Sequence, residues 1–149
     1  MNTLENYLKT YPDAGTIGER FGMKALLVNK PDWHKQASEL KSAPDLRYHQ
    51  LVCLSAIDRN DEGFELYAHL RSEINPEEIV LHTLIAKDRE VPVIESLCDL
   101  WGAAELFEDE VYDLFGIEFT NHPFLRRIML GEEFEGYPLR KSYQIPEND

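Results

Sequence analysis

The stretch Phe64-Glu-Leu-Tyr-Ala-His-Leu-Arg71 decides the fold class, because its apolar and polar residues alternate. That period of two places the apolar side chains on one face of a β-strand and the polar ones on the other. Two apolar runs, Tyr48–Ile57 and Ile79–Ala86, lie on either side of this stretch and also predict strands. Short connectors separate the three runs: the polar turn Asp58–Gly63 and the turn at Asn75–Pro76. Such spacing is typical of an antiparallel meander.

The residues upstream complete the predicted fold. Lys24–Asn29 predicts a fourth strand, and Trp33–Lys41 predicts a helix with Asp32 as its N-cap. Residues 1–12 predict a further short helix. The expected fold is α+β, with helices on one face of an antiparallel or mixed four-stranded sheet. No glycine-rich turn follows any predicted strand, which disfavours a doubly wound nucleotide-binding fold.

The composition excludes several classes of function. The chain has 149 residues and a net charge of −13, which argues against binding to nucleic acid or to anionic lipid. No stretch approaches the roughly 20 apolar residues of a membrane-spanning helix, and no secretory signal is visible at Met1–Pro12. Cys53 and Cys98 predict two buried free thiols, because they lack the density of a disulfide framework.

A longer helix is predicted next, with Ser96 and Asp99 as its capping pair and Gly116 as its stop. On a helical wheel, Glu108 falls within the apolar arc. A carboxylate in that position is costly unless a partner compensates it. The nearest basic residues that follow in the sequence are Arg126 and Arg127, which makes them the expected partners.

The opposite face of this helix carries Glu105, Asp109 and Asp113 at i, i+4 spacing. A solvated acidic face is the ordinary interpretation of such a pattern, since like charges at this spacing repel only weakly. A ridge that meets basic residues of a partner gains weight because no Lys or Arg occurs from Glu90 through Leu125.

The C-terminal segment, residues 117–149, predicts a docking surface. It has no sustained periodicity and is expected to be extended and irregular. Two basic pairs follow prolines, Arg126–Arg127 after Pro123 and Arg140–Lys141 after Pro138. Prolines lower the entropy that a segment loses on binding. The predicted organisation is an α+β domain at 1–116 and a docking segment at 117–149 that is not an independent domain.

Side chains with catalytic or metal-binding chemistry are few and scattered. Glu108, Glu110, Asp113 and His122 are candidate metal ligands or acid/base groups, but helical spacing spreads the three acids around the wheel. Neither cysteine belongs to a C-x-x-C motif, and no serine belongs to a G-x-S-x-G motif. A free-standing metal-dependent enzyme is therefore a minor alternative.

Two blocks of sequence carry a resemblance to a known family. They are Glu108–Met129 (EDEVYDLFGIEFTNHPFLRRIM) and Glu135–Lys141 (EGYPLRK). Together they resemble the 30 kDa subunit family of respiratory complex I, which in bacteria is the C subunit of the NADH:quinone oxidoreductase. Related chains occur in energy-converting nickel–iron hydrogenases, formate hydrogenlyase and reduced-F420 dehydrogenases. Two positions depart from the family pattern: Asp109 replaces an arginine, and Tyr137 replaces a histidine.

The resemblance implies a cofactor-free structural subunit in the peripheral arm of a proton-translocating complex, on the cytoplasmic side of the cell membrane. The implied partners are the large quinone-site (49 kDa-like) subunit and other peripheral-arm subunits, which hold FMN, iron–sulfur clusters and quinone. The equivalent subunit of a hydrogenase, formate hydrogenlyase or F420-linked complex is the alternative. No catalytic or metal residue is expected in this chain. The expected docking or motif residues are Glu108, Glu110, Asp113, Phe115, Gly116, His122, Pro123, Arg126, Arg127, Gly136, Pro138, Leu139, Arg140 and Lys141.

Overall fold

Three helices and seven strands make up the fold, which a computed structural model describes for residues 3–86 and 89–145. The helices are α1 (Thr3–Thr10), α2 (Trp33–Ser42) and α3 (Ala104–Phe115). The strands are β1 (Thr16–Arg20), β2 (Met23–Leu27), β3 (Gln50–Asp58), β4 (Phe64–Arg71), β5 (Ile79–Ile85), β6 (Val93–Glu95) and β7 (Glu118–Thr120). Short 3₁₀ turns occur at Pro12–Ala14, Lys30–Asp32 and Asn60–Glu62.

The main sheet is mixed and has five strands in the order β1-β2-β5-β4-β3. Strands β3, β4 and β5 form the predicted antiparallel meander, whereas β2 pairs with β5 in parallel. The α+β class is thus confirmed, but the expected count of four strands is wrong by one. The remaining strands, β6 and β7, form a separate parallel pair.

The strand of the main sheet that the sequence did not predict is β1, and the short strands β6 and β7 were not predicted either. Strand β1 is short and mostly polar, and Gly18 interrupts it, so it lacks the apolar alternation of the other strands. It forms because Phe21 and Gly22 both have positive φ, at 56° and 75°, between two antiparallel strands. Two such residues are characteristic of a type I′ hairpin turn, whose twist matches that of the strands.

The hydrophobic core lies between one face of the main sheet and the helices. The alternating apolar residues of β4 point into it, as predicted, and Phe64, Leu66, Ala68 and Leu70 are fully buried. Helix α2 covers this face with Trp33, Ala37 and Leu40. Helix α3 contributes Val111 and Phe115, so the two longest helices and the sheet share one core.

Glu65 lies on the other face of β4 and is nevertheless buried. Its carboxylate accepts hydrogen bonds from Arg20 and Arg59, and His82 Nδ1 lies 3.1 Å from it. Burial raises the pKa of this carboxyl, but the two guanidinium groups outweigh that effect and hold the pKa below its usual range. The alternation therefore assigns Glu65 to the correct face, while its burial depends on residues from β1 and from the β3–β4 turn.

Helix α3 begins later than the sequence predicts. It starts at Ala104, so Ser96 and Asp99 do not cap it, and its N-cap residue Ala103 makes no side-chain capping bond. The helix does end where expected: Gly116 has φ +75°, and its N–H donates to the Tyr112 carbonyl at 2.8 Å.

The described residues bear on two further expectations. None of their helices has the length and apolar character that crossing a bilayer requires. Cys53 and Cys98 are free thiols, but both are half-buried instead of fully buried.

Candidate docking site

The segment after α3 folds back across that helix, and residues 117–145 of it are called the tail below. Residues 146–149 of the predicted docking segment lie outside the described residues. Three acidic side chains of α3, Glu108, Asp109 and Asp113, are each 0–1% exposed, and the last two bind the tail. The expectation of a solvent-exposed ridge through Asp109 and Asp113 is therefore wrong. It fails because a helical wheel shows which residues share a face but not whether a distant segment covers that face.

Asp113 is the main anchor of the tail. Its Oδ2 accepts three consecutive backbone N–H groups, from Ile128 at 3.2 Å, Met129 at 2.7 Å and Leu130 at 3.1 Å. Successive N–H groups that converge on one oxygen form an anion-binding nest. The Arg127 Nε lies 3.7 Å from the other carboxylate oxygen. One helix side chain thereby fixes the backbone of residues 128–130.

Asp109 and His122 hold the beginning of the tail. Asp109 Oδ1 accepts the Arg126 N–H at 3.3 Å, and His122 Nε2 lies 3.4 Å from the same oxygen. His122 Nε2 also donates to the Glu105 carbonyl at 3.0 Å, while its Nδ1 accepts the Phe124 N–H at 3.0 Å. Burial raises the pKa of Asp109, against the hydrogen bond from Arg126. His122 thus joins the first turn of α3 to the bend at Pro123.

Glu108 faces the opposite side, toward the segment that precedes α3. Its Oε1 accepts from the Ser96 hydroxyl at 2.5 Å and the Cys98 thiol at 3.2 Å, and its Oε2 accepts the Leu97 N–H at 2.8 Å. Burial raises the pKa of this carboxyl, and the three hydrogen bonds only partly offset the rise. The expected pairing with Arg126 or Arg127 is wrong, since the donors to this carboxylate are residues that precede the helix, Ser96, Leu97 and Cys98.

Two of the four Arg and Lys side chains of the tail, Arg127 and Arg140, donate hydrogen bonds to carbonyl groups of the described chain. Arg127 donates to the carbonyls of Phe134 at 3.0 Å and Gly136 at 2.6 Å, and its guanidinium lies 4.7 Å from the Tyr137 ring centroid. Arg140 donates from Nε to the Phe115 carbonyl at 2.5 Å, and its guanidinium lies 4.8 Å from the centroid of the same tyrosine ring. Both arginines thereby tie the tail to itself and to the end of α3.

Gly116 is the point where the tail closes on the helix. A Cβ at this position would lie 2.7 Å from both the Arg140 guanidinium and the Tyr137 ring. The Leu139 N–H donates to the Leu114 carbonyl at 3.0 Å, which fixes this part of the tail on the last turn of α3. Phe115 packs edge-on against Phe64 with ring centroids 6.2 Å apart. The helix end, the tail and the main sheet therefore meet around a glycine that has no room for a side chain.

Asp58 holds the end of the tail, although nothing in the sequence marked it. Its Oδ2 accepts the Lys141 backbone N–H at 2.7 Å and an Arg89 guanidinium at 2.6 Å. Burial raises the pKa of Asp58, but these two hydrogen bonds and a third from the Asn60 N–H outweigh that effect, and the pKa lies below its usual range. Ser96 is the other residue whose role was missed. The bonds from Asp58 to Lys141 and from Ser96 to Glu108 join residues far apart in the sequence, so no local spacing predicts them.

Several other side chains of the tail face solvent and define a candidate docking surface. Phe124 and Met129 are each 61% exposed, and Leu139 is 51% exposed. Arg126 and Lys141 are exposed as well, with Arg126 stacked over Phe124 at 4.9 Å. Among the other expected motif residues, Glu110, Pro123 and Gly136 are exposed and Pro138 is half-buried.

Cys98, Glu108 and His122 form a cluster in which one ligand atom of each lies within 4.8 Å of the others. It is the one such group found among residues 3–86 and 89–145. Burial and the Glu108 carboxylate raise the pKa of the Cys98 thiol to about 12. The Cys98 thiol donates to the Glu108 carboxylate, and both ring nitrogens of His122 make hydrogen bonds. These bonds link the pre-helix segment, α3 and the tail.

Comparison with known proteins places these residues in a family context. Residues 26–149 match the family model described as "Respiratory-chain NADH dehydrogenase, 30 Kd subunit". The C subunit of the NADH-quinone oxidoreductase of Burkholderia multivorans is 34% identical over 138 residues, which cover 87% of this chain and 68% of that protein. The same subunit of Cupriavidus pinatubonensis is 34% identical over 135 residues, covering 85% and 67%.

Two solved structures share the fold. One is described as Nqo5 of the trypsin-resistant fragment (1-134), with TM-score 0.69, 23% identity, and coverage of 83% of this chain and 100% of that one. The other belongs to a membrane-bound sulfane sulfur reductase, an archaeal respiratory membrane complex, with TM-score 0.80, 21% identity, and coverage of 96% and 84%. At these identities the likeness concerns the fold alone.

Asp113→Ala leaves three backbone N–H groups of the tail without their acceptor. We expect the free energy of unfolding to fall by about 2 kcal/mol or more, because three hydrogen bonds to a charged acceptor are lost and each such bond contributes about 1.5–3 kcal/mol. Amide hydrogen exchange at Ile128, Met129 and Leu130 should accelerate. Glu110→Ala, at an exposed position of the same helix, is the control and should leave that exchange unchanged. Unaltered exchange in the Asp113 variant would show that the tail is held by other contacts.

Glu108→Gln tests the pKa of the buried carboxyl. Because the folded chain binds this proton more tightly than the unfolded chain does, the stability that Glu108 contributes falls as pH rises above 4.5, its ordinary pKa. Glutamine does not titrate. The free energy of unfolding of the variant, measured by urea denaturation relative to the unmodified chain, should therefore increase between pH 4 and pH 7. A difference that is independent of pH would contradict the raised pKa.

Proposed function

The chain belongs to the family of the 30 kDa subunit of respiratory-chain NADH dehydrogenase, and from this we propose that it is a structural subunit of an NADH:quinone oxidoreductase of the complex I type. The observation that carries the proposal is the family match over residues 26–149, together with 34% identity to the C subunits of two such enzymes. The reaction is then a property of the complex, and this chain contributes architecture.

We further propose that the chain docks on the large quinone-site subunit of the peripheral arm, and that it reaches the membrane through that arm. The side chains that support this proposal are the exposed ones of the tail, Phe124, Arg126, Met129, Leu139 and Lys141. Aromatic residues, methionine and arginine are enriched in protein interfaces. The tail presents them on a backbone already fixed by Asp109 and Asp113, so little entropy is lost on docking.

The internal bonds of the tail divide its basic residues into two roles. Arg127 and Arg140 hold the tail in shape, because their guanidinium groups bond to carbonyls of the chain itself. Arg126 and Lys141 have exposed side chains, and we assign the charged contacts with the partner to them. The buried carboxylates of α3, Glu108, Asp109 and Asp113, act inside the subunit, whereas Glu105 and Glu110 are exposed.

Charge reversal at the exposed basic positions tests the docking proposal. Arg126→Glu with Lys141→Glu should prevent incorporation of this subunit into the complex, because each reversal replaces attraction by repulsion at the interface. Native gel electrophoresis of solubilised membranes measures the assembly. Circular dichroism of the purified variant should show that the fold is retained, since both side chains are exposed and neither forms an ion pair among the described residues.

Lys30→Glu is the control, because Lys30 is exposed and lies outside the tail. Normal assembly of the double variant would refute docking through the tail.

Subunit identification in the purified complex separates the two candidate complexes. NADH-oxidising subunits support the proposal, whereas a nickel–iron hydrogenase subunit would assign the chain to the alternative.

A further inference from the structure

A groove between α1, α2 and the β4–β5 connection lies outside the tail. It consists of two cavities, of about 740 Å³ and about 550 Å³, that share Tyr7, Thr10, Tyr11 and Glu39 as lining residues. Because they share these residues, the two cavities lie side by side. Two adjacent cavities suit an extended segment better than a compact small molecule.

The first cavity has aromatic and apolar residues in its wall. The rings of Tyr7 and Tyr11 lie with centroids 4.9 Å apart, and Tyr11 is 56% exposed. Ile74 lines the first cavity and is 54% exposed. Aromatic faces attract cationic side chains, especially the planar guanidinium of arginine.

The rim of the groove is acidic. Glu39 and Asp45 line the first cavity, and Asp13, Asp32 and Glu39 line the second, against the single basic residue Lys35. Burial and the nearby Glu39 carboxylate raise the pKa of the Tyr7 phenol, in keeping with a negative potential at this wall. The charge complementary to this rim is positive.

Gln36 supplies the second, independent observation. It lines the second cavity and is 6% exposed, and its Oε1 accepts no hydrogen bond from the part of the chain that the structure describes. Buried polar atoms are paired in the great majority of native proteins, so an acceptor of this kind indicates a missing donor.

We propose that this groove binds an extended, arginine-bearing segment of a partner protein. The guanidinium lies between the tyrosine rings and the Glu39 carboxylate, and Gln36 Oε1 accepts one of its N–H groups. A guanidinium fits these requirements because it combines a planar face with five hydrogen-bond donors. The groove shares no residue with the tail, so this proposal is independent of docking through the tail.

Titration of the full chain with an acetylated, amidated triarginine peptide tests the proposal by ¹⁵N NMR. We expect shifts concentrated at the amides of Tyr7, Tyr11, Gln36 and Glu39. The matched peptide of three citrullines, which has the same shape without charge, should not produce them. Equal binding of the two peptides, or shifts spread over every acidic surface including Glu105 and Glu118, would refute a specific guanidinium site.

Three variants refine the measurement. Glu39→Gln should weaken the peptide Kd by about two- to fivefold, the effect of losing one exposed ion pair. Gln36→Met should weaken it as well, because it removes the unpaired acceptor. Glu19→Gln removes the same charge at an exposed position of β1 and should leave Kd unchanged. An equal loss in the Glu19 variant, or no loss in the Gln36 variant, would overturn the assignment.

The oligomeric state of the free chain provides a separate check. Analytical ultracentrifugation should show that the free chain is a monomer, so that no second copy occupies the groove. A dimer that Tyr11→Glu dissociates would show that the occupant is another copy and would refute a partner segment.

Discussion

The structure of the C-terminal third depends on the burial of acidic side chains of α3 between the sheet and the tail. A buried carboxylate is stable only when its lone pairs are filled. Here the donors are mostly neutral: three backbone N–H groups at Asp113, one at Asp109, and a hydroxyl, an N–H and a thiol at Glu108. Because the donors come from both sides of the helix, α3 cannot keep its acids buried without also ordering the chain before and after it.

This arrangement separates the charges that shape the subunit from those available to a partner. Arg127 and Arg140 close the tail over Tyr137 and the helix end, while Arg126 and Lys141 remain at the surface. The proposed groove also offers charges to a partner, but these charges are negative. Its acids line a concave wall that includes Gln36, whose Oε1 has no described hydrogen-bond partner. A chain of net charge −13 is well suited to partners that contribute basic segments.

Local patterns predicted most of the fold. The alternation of Phe64–Arg71 specified a strand with one buried face, and the apolar runs on both sides of it predicted the meander. Residues 33–42 form the predicted helix, and Gly116 ends α3 because only a residue tolerant of positive φ fits there. The fifth strand of the main sheet was missed because its hairpin turn and its pairing with β2 hold β1 in place. Neither of these produces an apolar periodicity in the sequence.

The sequence by itself determined the fold class, the end of α3 and the family resemblance, since each depends on residues close together in the chain. Only the tertiary structure decided which charges are buried. Asp109 and Asp113 were expected in solvent and lie under the tail, Glu108 was expected to meet an arginine and meets Ser96, and Asp58 binds the backbone of Lys141. The physical reason is that desolvation depends on what covers a residue, and the covering segment lies from about ten to more than eighty positions away.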